Sequence, residues 1–486
     1  MRWSRWGEVA LVAGIYAGFA GAAHLAGFRM LIPWDYFQLL DGRALLQHPL
    51  GSLCFLHSQP PALNTLLAIV LRVATALAVP PEHVAAACFL GLGFLGALAL
   101  AHVTKVVTGS RLVASLAVVA MLADPGFHVY RNLFFYEFLD HVLVSLLLAV
   151  TASYLSNGRR AEVVAVAAGT AALALTRTLF HPVWAVGYCA LVIALRARLA
   201  PAARERTHWG LAAAILLPLL VAWPLKNLVV YGHFTTASMT GVSLSRAVPG
   251  CQSVMLGIFF GTGVAPDAVL QLAADASTMC GSAAQSVAAS PTKSDGSRNW
   301  NHVAFLAAAP YLARCATAWR LGNPVAWLAK AAGQYAMWTR PTFVHPYDGN
   351  LVGPADARWI GYATTYERAA FFDLRPTVER LLPGLFLHRE AMLRRRPVPY
   401  TLFGFVWLPL IVGLAAWQQI RCPRSVRTAT AAAALFCLLW PMLGACLTDG
   451  QEGNRMRFST TPALLVVEAC LVGEALARWG RSRAIG

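Results

Sequence analysis

The sequence predicts an all-α polytopic membrane protein, a bundle of about ten transmembrane helices with a large extracytoplasmic loop region. Three observations carry this. Of the 486 residues, 58% are hydrophobic and 13% charged, whereas a soluble domain carries roughly 25% charged residues. About ten apolar runs reach or approach the ~20 residues that cross a bilayer. Lysine and arginine gather in short clusters beside those runs, the distribution that fixes orientation in a membrane. Helices are expected rather than a barrel, because a helix satisfies its own backbone in lipid and no period-two pattern is present. The same clustering accounts for the formal net charge of +17 without a nucleic-acid partner.

The first apolar run follows Arg2 and Arg5, which place the N-terminus inside. This start resembles a secretory signal, but the many later spans favour a retained signal-anchor. Further cytoplasmic turns are marked by Lys105 with Arg111, Arg159 with Arg160, Arg196 to Arg206, Arg421 to Arg427 and Arg478 to Arg483. Spans then fit at 8–31, 83–103, 112–127, 138–155, 161–177, 182–196, 210–227, 401–419, 428–447 and 459–477. The run from Ala62 to Val79 is too many by one. A full crossing there would put the later basic clusters outside, so it is expected to lie in the outer interface or to be re-entrant.

From Val230 to about Tyr400 the texture changes to Gly, Ser, Asp and Pro with short apolar runs. We divide the chain into an N-terminal transmembrane module (1–229) carrying a first-loop segment (32–61), an extracytoplasmic block with interfacial helices (230–400) and a C-terminal transmembrane module (401–486). Helical character is expected at 304–320 and 325–338, and an exposed loop at Ser290 to Asn301. Arg394-Arg395-Arg396 falls on the outer side of this scheme, where arginines suit lipid phosphate. No CxxC pair is present. Cys251 and Cys280 share the extracytoplasmic block, where oxidation is permitted, so a bridge between them and two free thiols are both open.

Polar residues at the outer ends of spans are the candidates for chemistry. Asp35 and Asp41 follow the first span, flanked by Trp34 and Tyr36, and the same loop closes with His57-Ser58-Gln59-Pro60-Pro61. An acid at that depth is expensive unless it is used. Asp124 to Asn132, including Arg131, links two spans. Glu137, Asp140 and His141 then open the next span, with Glu137 on one helix face with both others. A hydrogen-bonded network and a divalent-cation site are both open there, since carboxylate and imidazole suit such an ion. Arg177 and His181 flank another outer turn. Glu452, Arg455 and Arg457 precede the last span; if extended, this stretch aims both arginines to one side, suited to phosphate.

Asp35 after the first span, Gln59-Pro60-Pro61 opening an apolar helix, Asp140 at the start of a span, and Asn454-Arg455-Met456-Arg457-Phe458 with Pro462 before the last span resemble the GT-C superfamily of integral-membrane glycosyltransferases. That superfamily includes protein O-mannosyltransferases, lipid A aminoarabinose transferases and arabinofuranosyltransferases. The resemblance covers the first ~150 and last ~50 residues, its elements lying at the ends of membrane-length runs. It implies an inverting enzyme of the cytoplasmic membrane, active on the outer face, that moves a sugar from a polyprenyl phosphate to a lipid or glycan acceptor. It implies Asp35 as base, Asp140 as a second active-site carboxylate, and Arg455 or Arg457 near the donor phosphate; Glu137, which shares a helix face with Asp140, joins the catalytic candidates on that ground. Asp41, His57, Arg131, Arg177, His181 and Glu452 complete the candidate substrate-binding set. Here Asp35 is followed by Tyr36 in place of the common Asp-Glu pair, which leaves the supporting acid and any metal unassigned. The rival is a transporter or flippase for a lipid-linked anion, which places charge nearer the midplane, often in repeated halves. A noncatalytic lipid-binding subunit is the third reading.

Overall fold

The computed structural model describes residues 5–36, 38–200, 205–246, 248, 251, 266–339, 341–343, 353–354, 356–371, 403–422, 424–448 and 453–485. Its ordered elements are helices. They are α1 (Arg5–Leu25), α2 (Gly42–Gln47), α3 (Pro49–Phe55), α4 (Ala62–Leu77), α5 (Pro81–Thr108), α6 (Arg111–Ala123), α7 (Pro125–Arg131), α8 (Tyr136–Asn157), α9 (Arg160–Thr176), α10 (Pro182–Leu199) and α11 (Glu205–Tyr231). The middle block contributes α12 (Met239–Arg246), α13 (Pro266–Cys280), α14 (Ser286–Ala289), α15 (Val303–Gly322), α16 (Pro324–Trp338) and α17 (Ala357–Phe371). The last module holds α18 (Leu408–Arg421), α19 (Val426–Thr448) and α20 (Gly453–Ile485).

Each of the ten expected spans falls on one of these helices. Among the described residues, seven (α1, α5, α8, α10, α11, α19 and α20) are long and apolar enough by themselves to cross a membrane, and the pair α6–α7, bent by 65°, makes eight. The bend has a local cause. Asp124 is extended, its side chain accepts from Gly126 N at 2.8 Å, and Pro125 opens the second helix. The helices α9 and α18, at 17 and 14 residues, are shorter.

The core is built around α8. Most of its apolar stretch is buried, whereas that of α1 is largely open, and α8 is apolar all round rather than striped, as a helix enclosed by others must be. Phe89 of α5 stacks on Phe138 at 5.2 Å, and Tyr188 of α10 bonds Thr151 of α8 at 2.9 Å. Both tyrosine and threonine hydroxyls are thereby satisfied inside the bundle.

Contacts sort the helix ends into two groups. At one end Glu8 meets Lys105 and Arg111 at 2.5 and 2.6 Å, Arg196 donates to Leu155 O, and Arg427 donates to Val107 O and pairs with Glu474 at 3.1 Å. Thus Lys105, Arg111, Arg196 and Arg427, drawn from three of the basic clusters read from sequence, share one side of the bundle. The other end collects the first loop, the turn before α8, the end of α9 and the start of α20. This arrangement also places α4. It starts beside the first loop, and three residues after it begins α5, whose 28 residues reach the basic end over ~42 Å. Both ends of α4 therefore lie on the loop side of the bundle.

The expected helices at 304–320 and 325–338 are α15 and α16. They do not stand apart from the bundle: Trp327 Nε1 donates to Leu447 O at 3.1 Å, which seats α16 on α19. Two expectations need correction. Cys280 pairs with Cys54 of the first loop, and Cys251 pairs with Cys315 on α15; a Cys251–Cys280 bridge does not form because each sulfur has a partner on another element. Nor is Ser290–Asn301 simply exposed. Ser294, Asp295 and Gly296 face solvent, but Lys293, Asn299 and Asn301 are buried; Lys293 and Asn301 bond the first loop, and Asn299 bonds Val287 O and Ser290 O within the middle block. The Arg394 to Arg396 cluster lies outside the described residues.

Candidate active site

The first turns of α8 present Glu137 and Asp140 from one face, and both are fully buried. Guanidiniums reach them from two distant elements. Arg177, where α9 ends as the backbone turns extended, lies 3.5 Å from Glu137 Oε1 and 3.8 Å from Asp140 Oδ2. Arg455, in the first turn of α20, places Nε 2.8 Å from the same Glu137 oxygen. The arginines also lie over aromatic faces: Arg177 is 4.3 Å from the Tyr136 ring centre, and Arg455 is 4.9 Å from that of Phe135. Gln38 of the first loop donates to Tyr136 Oη at 3.1 Å. Two carboxylates thus face two guanidiniums in a water-poor setting, where losing one partner is far costlier than at a surface.

On the same face of α8, His141 is turned away from the two carboxylates. The imidazole of His141 stacks on Phe458 at 4.5 Å and its Nδ1 donates to Phe458 O at 3.0 Å, while the carboxylates turn to arginine. Glu137 and Asp140 thus form an ion-pair network with Arg177 and Arg455, and among the described residues no group of three or more His, Cys, Asp and Glu side chains is placed to hold a metal ion.

Arg177 and Tyr136 also line a cavity of about 480 Å³. Gln59, His181 and, from α12, Arg246 add polar groups, while Trp440, Leu443 and Leu447 of α19 supply an apolar wall. Arg246 carried no sequence signal of its own. It is delivered because α12 packs closely on α15, where a Cβ at Gly241 would strike Ala309 O. His181 has a second task as the N-cap of α10, its Nδ1 accepting from Val183 N at 3.3 Å. Two other cavities, of about 990 and 560 Å³, lie at the basic end and beside α4; neither touches the carboxylate pair.

The first loop is joined to this site through backbone. Leu31 N donates to Asn132 O at 2.9 Å and Phe134 N to Leu31 O at 2.8 Å, so the chain carrying Asp35 runs alongside the chain entering α8. Tyr36 packs edge-on against Phe135 at 5.4 Å. Asp35 itself is exposed at the turn. Its neighbours are held from the middle block: Lys293 Nζ donates to Trp34 O at 2.5 Å and to Tyr36 O at 3.0 Å. Burial pushes the Lys293 amine down to about 8, while the charges of Asp295, Asp35 and Asp41 act to hold it up.

The other end of the loop is clamped in the same way. Lys226 of α11 donates to Cys54 O and Leu56 O, Tyr231 Oη donates to Phe55 O at 2.6 Å, and Asn301 accepts from His57 N and Ser58 N at 2.9 and 3.0 Å. Side chains from elsewhere satisfy these groups because Cys54 and Phe55 are at the C-terminal end of α3, where carbonyls have no partner within the helix, and the residues after it have no regular ladder.

Several candidates make contacts that also hold the scaffold together. Asp41 caps α2, accepting from Arg43 N at 2.9 Å and Ala44 N at 3.1 Å, and also accepts from Ser294 Oγ at 2.9 Å and Ser294 N. His57 is fully buried with Nδ1 2.8 Å from Ser238 Oγ. Arg131 is buried beside Tyr16 and His128. Arg455 and Arg457 do not point together: the stretch is helical, so residues two apart diverge by ~200°, and Arg457 faces Asp124, Tyr130 and Tyr366 instead. Glu452 lies outside the described residues.

No family model matches the chain, and no protein of curated function does. Among solved structures, the chain is similar to an archaeal oligosaccharyltransferase from Archaeoglobus fulgidus in complex with an inhibitory peptide and a dolichol-phosphate, with 13% identity and a TM-score of 0.44 over 99% of this chain and 51% of that one. The chain thus spans about half that protein's length.

Proposed function

We propose that this protein is a membrane glycosyltransferase that moves a sugar from a polyprenyl-phosphate donor to a lipid or envelope-glycan acceptor at the extracytoplasmic face. The observation that carries the proposal is the cavity whose apolar wall on α19 ends at Arg177, itself locked to the buried Glu137–Asp140 pair. Its walls suit an isoprenoid chain, and Arg177 with Arg246 suits a phosphate. Ionisable groups at membrane depth are retained for such work.

In the proposed step the acceptor oxygen bonds to the anomeric carbon while the bond from that carbon to the phosphate oxygen breaks. The lipid phosphate leaves with the electron pair, and the acceptor proton passes to Asp35. A single displacement inverts the anomeric centre. Glu137 and Asp140 hold the Arg177 guanidinium in place, so that cationic charge is fixed where the phosphate charge develops.

The test is transfer by purified protein in nanodiscs, using a panel of polyprenyl-phosphate sugars. Asp35→Asn keeps size and most hydrogen bonds but cannot accept a proton, so the rate should fall ~10²–10⁴-fold with folding unchanged. Asp41→Asn keeps an oxygen to cap α2 and should retain substantial activity. Wild-type rates in Asp35→Asn would remove the base assignment. Movement of an intact lipid-linked anion across the bilayer, with no transfer from any donor, would favour the transporter instead.

A further inference from the structure

We propose that Lys293 is a positioning residue that sets the Asp35 carboxylate for proton abstraction, which rests on the reading of Asp35 as base. A single ammonium bonds the carbonyl before Asp35 and the carbonyl after it. Lys293 thereby fixes the peptide unit entering Asp35 and the one leaving Tyr36, and Tyr36 N, donating to Pro33 O at 3.0 Å, holds the unit between them, although the turn has no regular secondary structure. Lysine is an expensive choice for this, since only 7% of Lys293 is exposed and burial opposes its charge. A neutral amide donor would bond carbonyls at lower cost. What the ammonium adds is a positive charge that acts on the Asp35 carboxylate, together with those of Asp295 and Asp41.

The turn that carries Lys293 is built to hold still. Lys293 N donates to Ser297 O at 2.8 Å, and Gly296 N to Lys293 O at 3.0 Å. Gly296 takes a positive φ of 82°, a left-handed conformation that glycine adopts without strain. Asn299 Nδ2 ties the turn to Val287 O at 2.9 Å and Ser290 O at 2.7 Å. The adjacent Ser294 grips Asp41 with its hydroxyl and its backbone amide, so the turn grasps the first loop on both sides of Gln38. Precision of this kind matters for a base, because a misplacement of ~1 Å can cost ~10²-fold in rate.

The test measures kcat and KM in the same transfer assay for Lys293→Met, Lys293→Arg and Lys293→Met combined with Asp35→Asn. Formation of the Cys54–Cys280 bridge serves as the fold check. Lys293→Met should lower kcat ~10–100-fold with donor KM within ~2-fold, and Lys293→Arg should recover part of the loss. In the Asp35→Asn background, Lys293→Met should cost less than ~2-fold, because the group through which it acts is gone. If Lys293→Met does not form the bridge, Lys293→Gln, which keeps a donor without the charge, is read by the same criteria. Wild-type kcat in the folded methionine or glutamine variant overturns the proposal, as does the same fold-loss with and without Asp35. Full activity of Asp35→Asn alone removes the base assignment and this proposal with it, an outcome separable from failure at Lys293 alone.

Discussion

Arg455 Nε lies 2.8 Å from Glu137 Oε1, joining the start of α20 to the start of α8. Arg177 approaches the same oxygen from the end of α9 at 3.5 Å, so one carboxylate ties together three helix ends that are remote in sequence.

Glu137→Gln should therefore destabilise the protein by ~3–5 kcal/mol, the usual cost of stripping the partner from a buried charge. Arg177 keeps Asp140 at 3.8 Å, so the loss falls mainly on Arg455. Asp35→Asn, at an exposed turn, should leave thermal unfolding unchanged. The check is a thermal-shift series in detergent on both variants. Equal stability of the two would mean that the Glu137 pairing contributes nothing to holding these ends together.

The disulfide pattern is open to direct measurement. Peptide mapping without reduction should find Cys54 linked to Cys280 and Cys251 to Cys315, with Cα separations of 5.6 and 6.1 Å that lie within the normal range. Cys54→Ser should leave Cys280 free to react with a thiol reagent. A Cys251–Cys280 peptide would refute both pairings at once.

Much of the bundle was legible because its signals are local. Apolar length gave the spans, basic clusters gave their common end, and double prolines bounded α4. The carboxylates of α8 were also legible, since Glu137 and Asp140 interrupt the start of an apolar run. The partners were not. Nothing in the sequence tells that Arg455 turns to Glu137 while Arg457 turns to Asp124; that depends on the stretch being helical. Lys226, Arg246 and Lys293 escaped for another reason. Their roles are to bond loop carbonyls or to face a cavity, and such contacts leave no spacing to read. The pairing of Cys280 with Cys54 rather than Cys251 likewise depends on which loop folds over which.

Orientation in the membrane has a simple readout. A cysteine at exposed Asp295 should react in intact cells with an impermeant thiol reagent, while one at Asn157, exposed at the opposite, basic end, should not. Asn454 is a poor reporter, because it is fully buried and bonds Pro341 O at 3.0 Å. Labelling at 157 from outside would reverse the orientation and with it the extracytoplasmic placement of the site.

His57 should make the first-loop clamp sensitive to acid. Burial, aided by the nearby charge of Lys226, pushes its pKa down to about 3 from an ordinary 6.5, so the folded imidazole stays neutral where the unfolded one takes a proton. The stability from this group is complete above pH 6.5 and is lost as pH falls from there toward 3, because the unfolded state binds the extra proton. By pH 5 the loss should approach ~2 kcal/mol. His57→Gln replaces the imidazole with a group that does not titrate. It is expected to be less stable than wild type at pH 7.5, having lost the ring that meets Ser238 Oγ at 2.8 Å and packs on Tyr231, but to lose less on acidification. Denaturant midpoints of both proteins at pH 7.5, 6 and 5 give the comparison. Parallel pH slopes would mean that His57 takes up its proton in the folded state as readily as in the unfolded one.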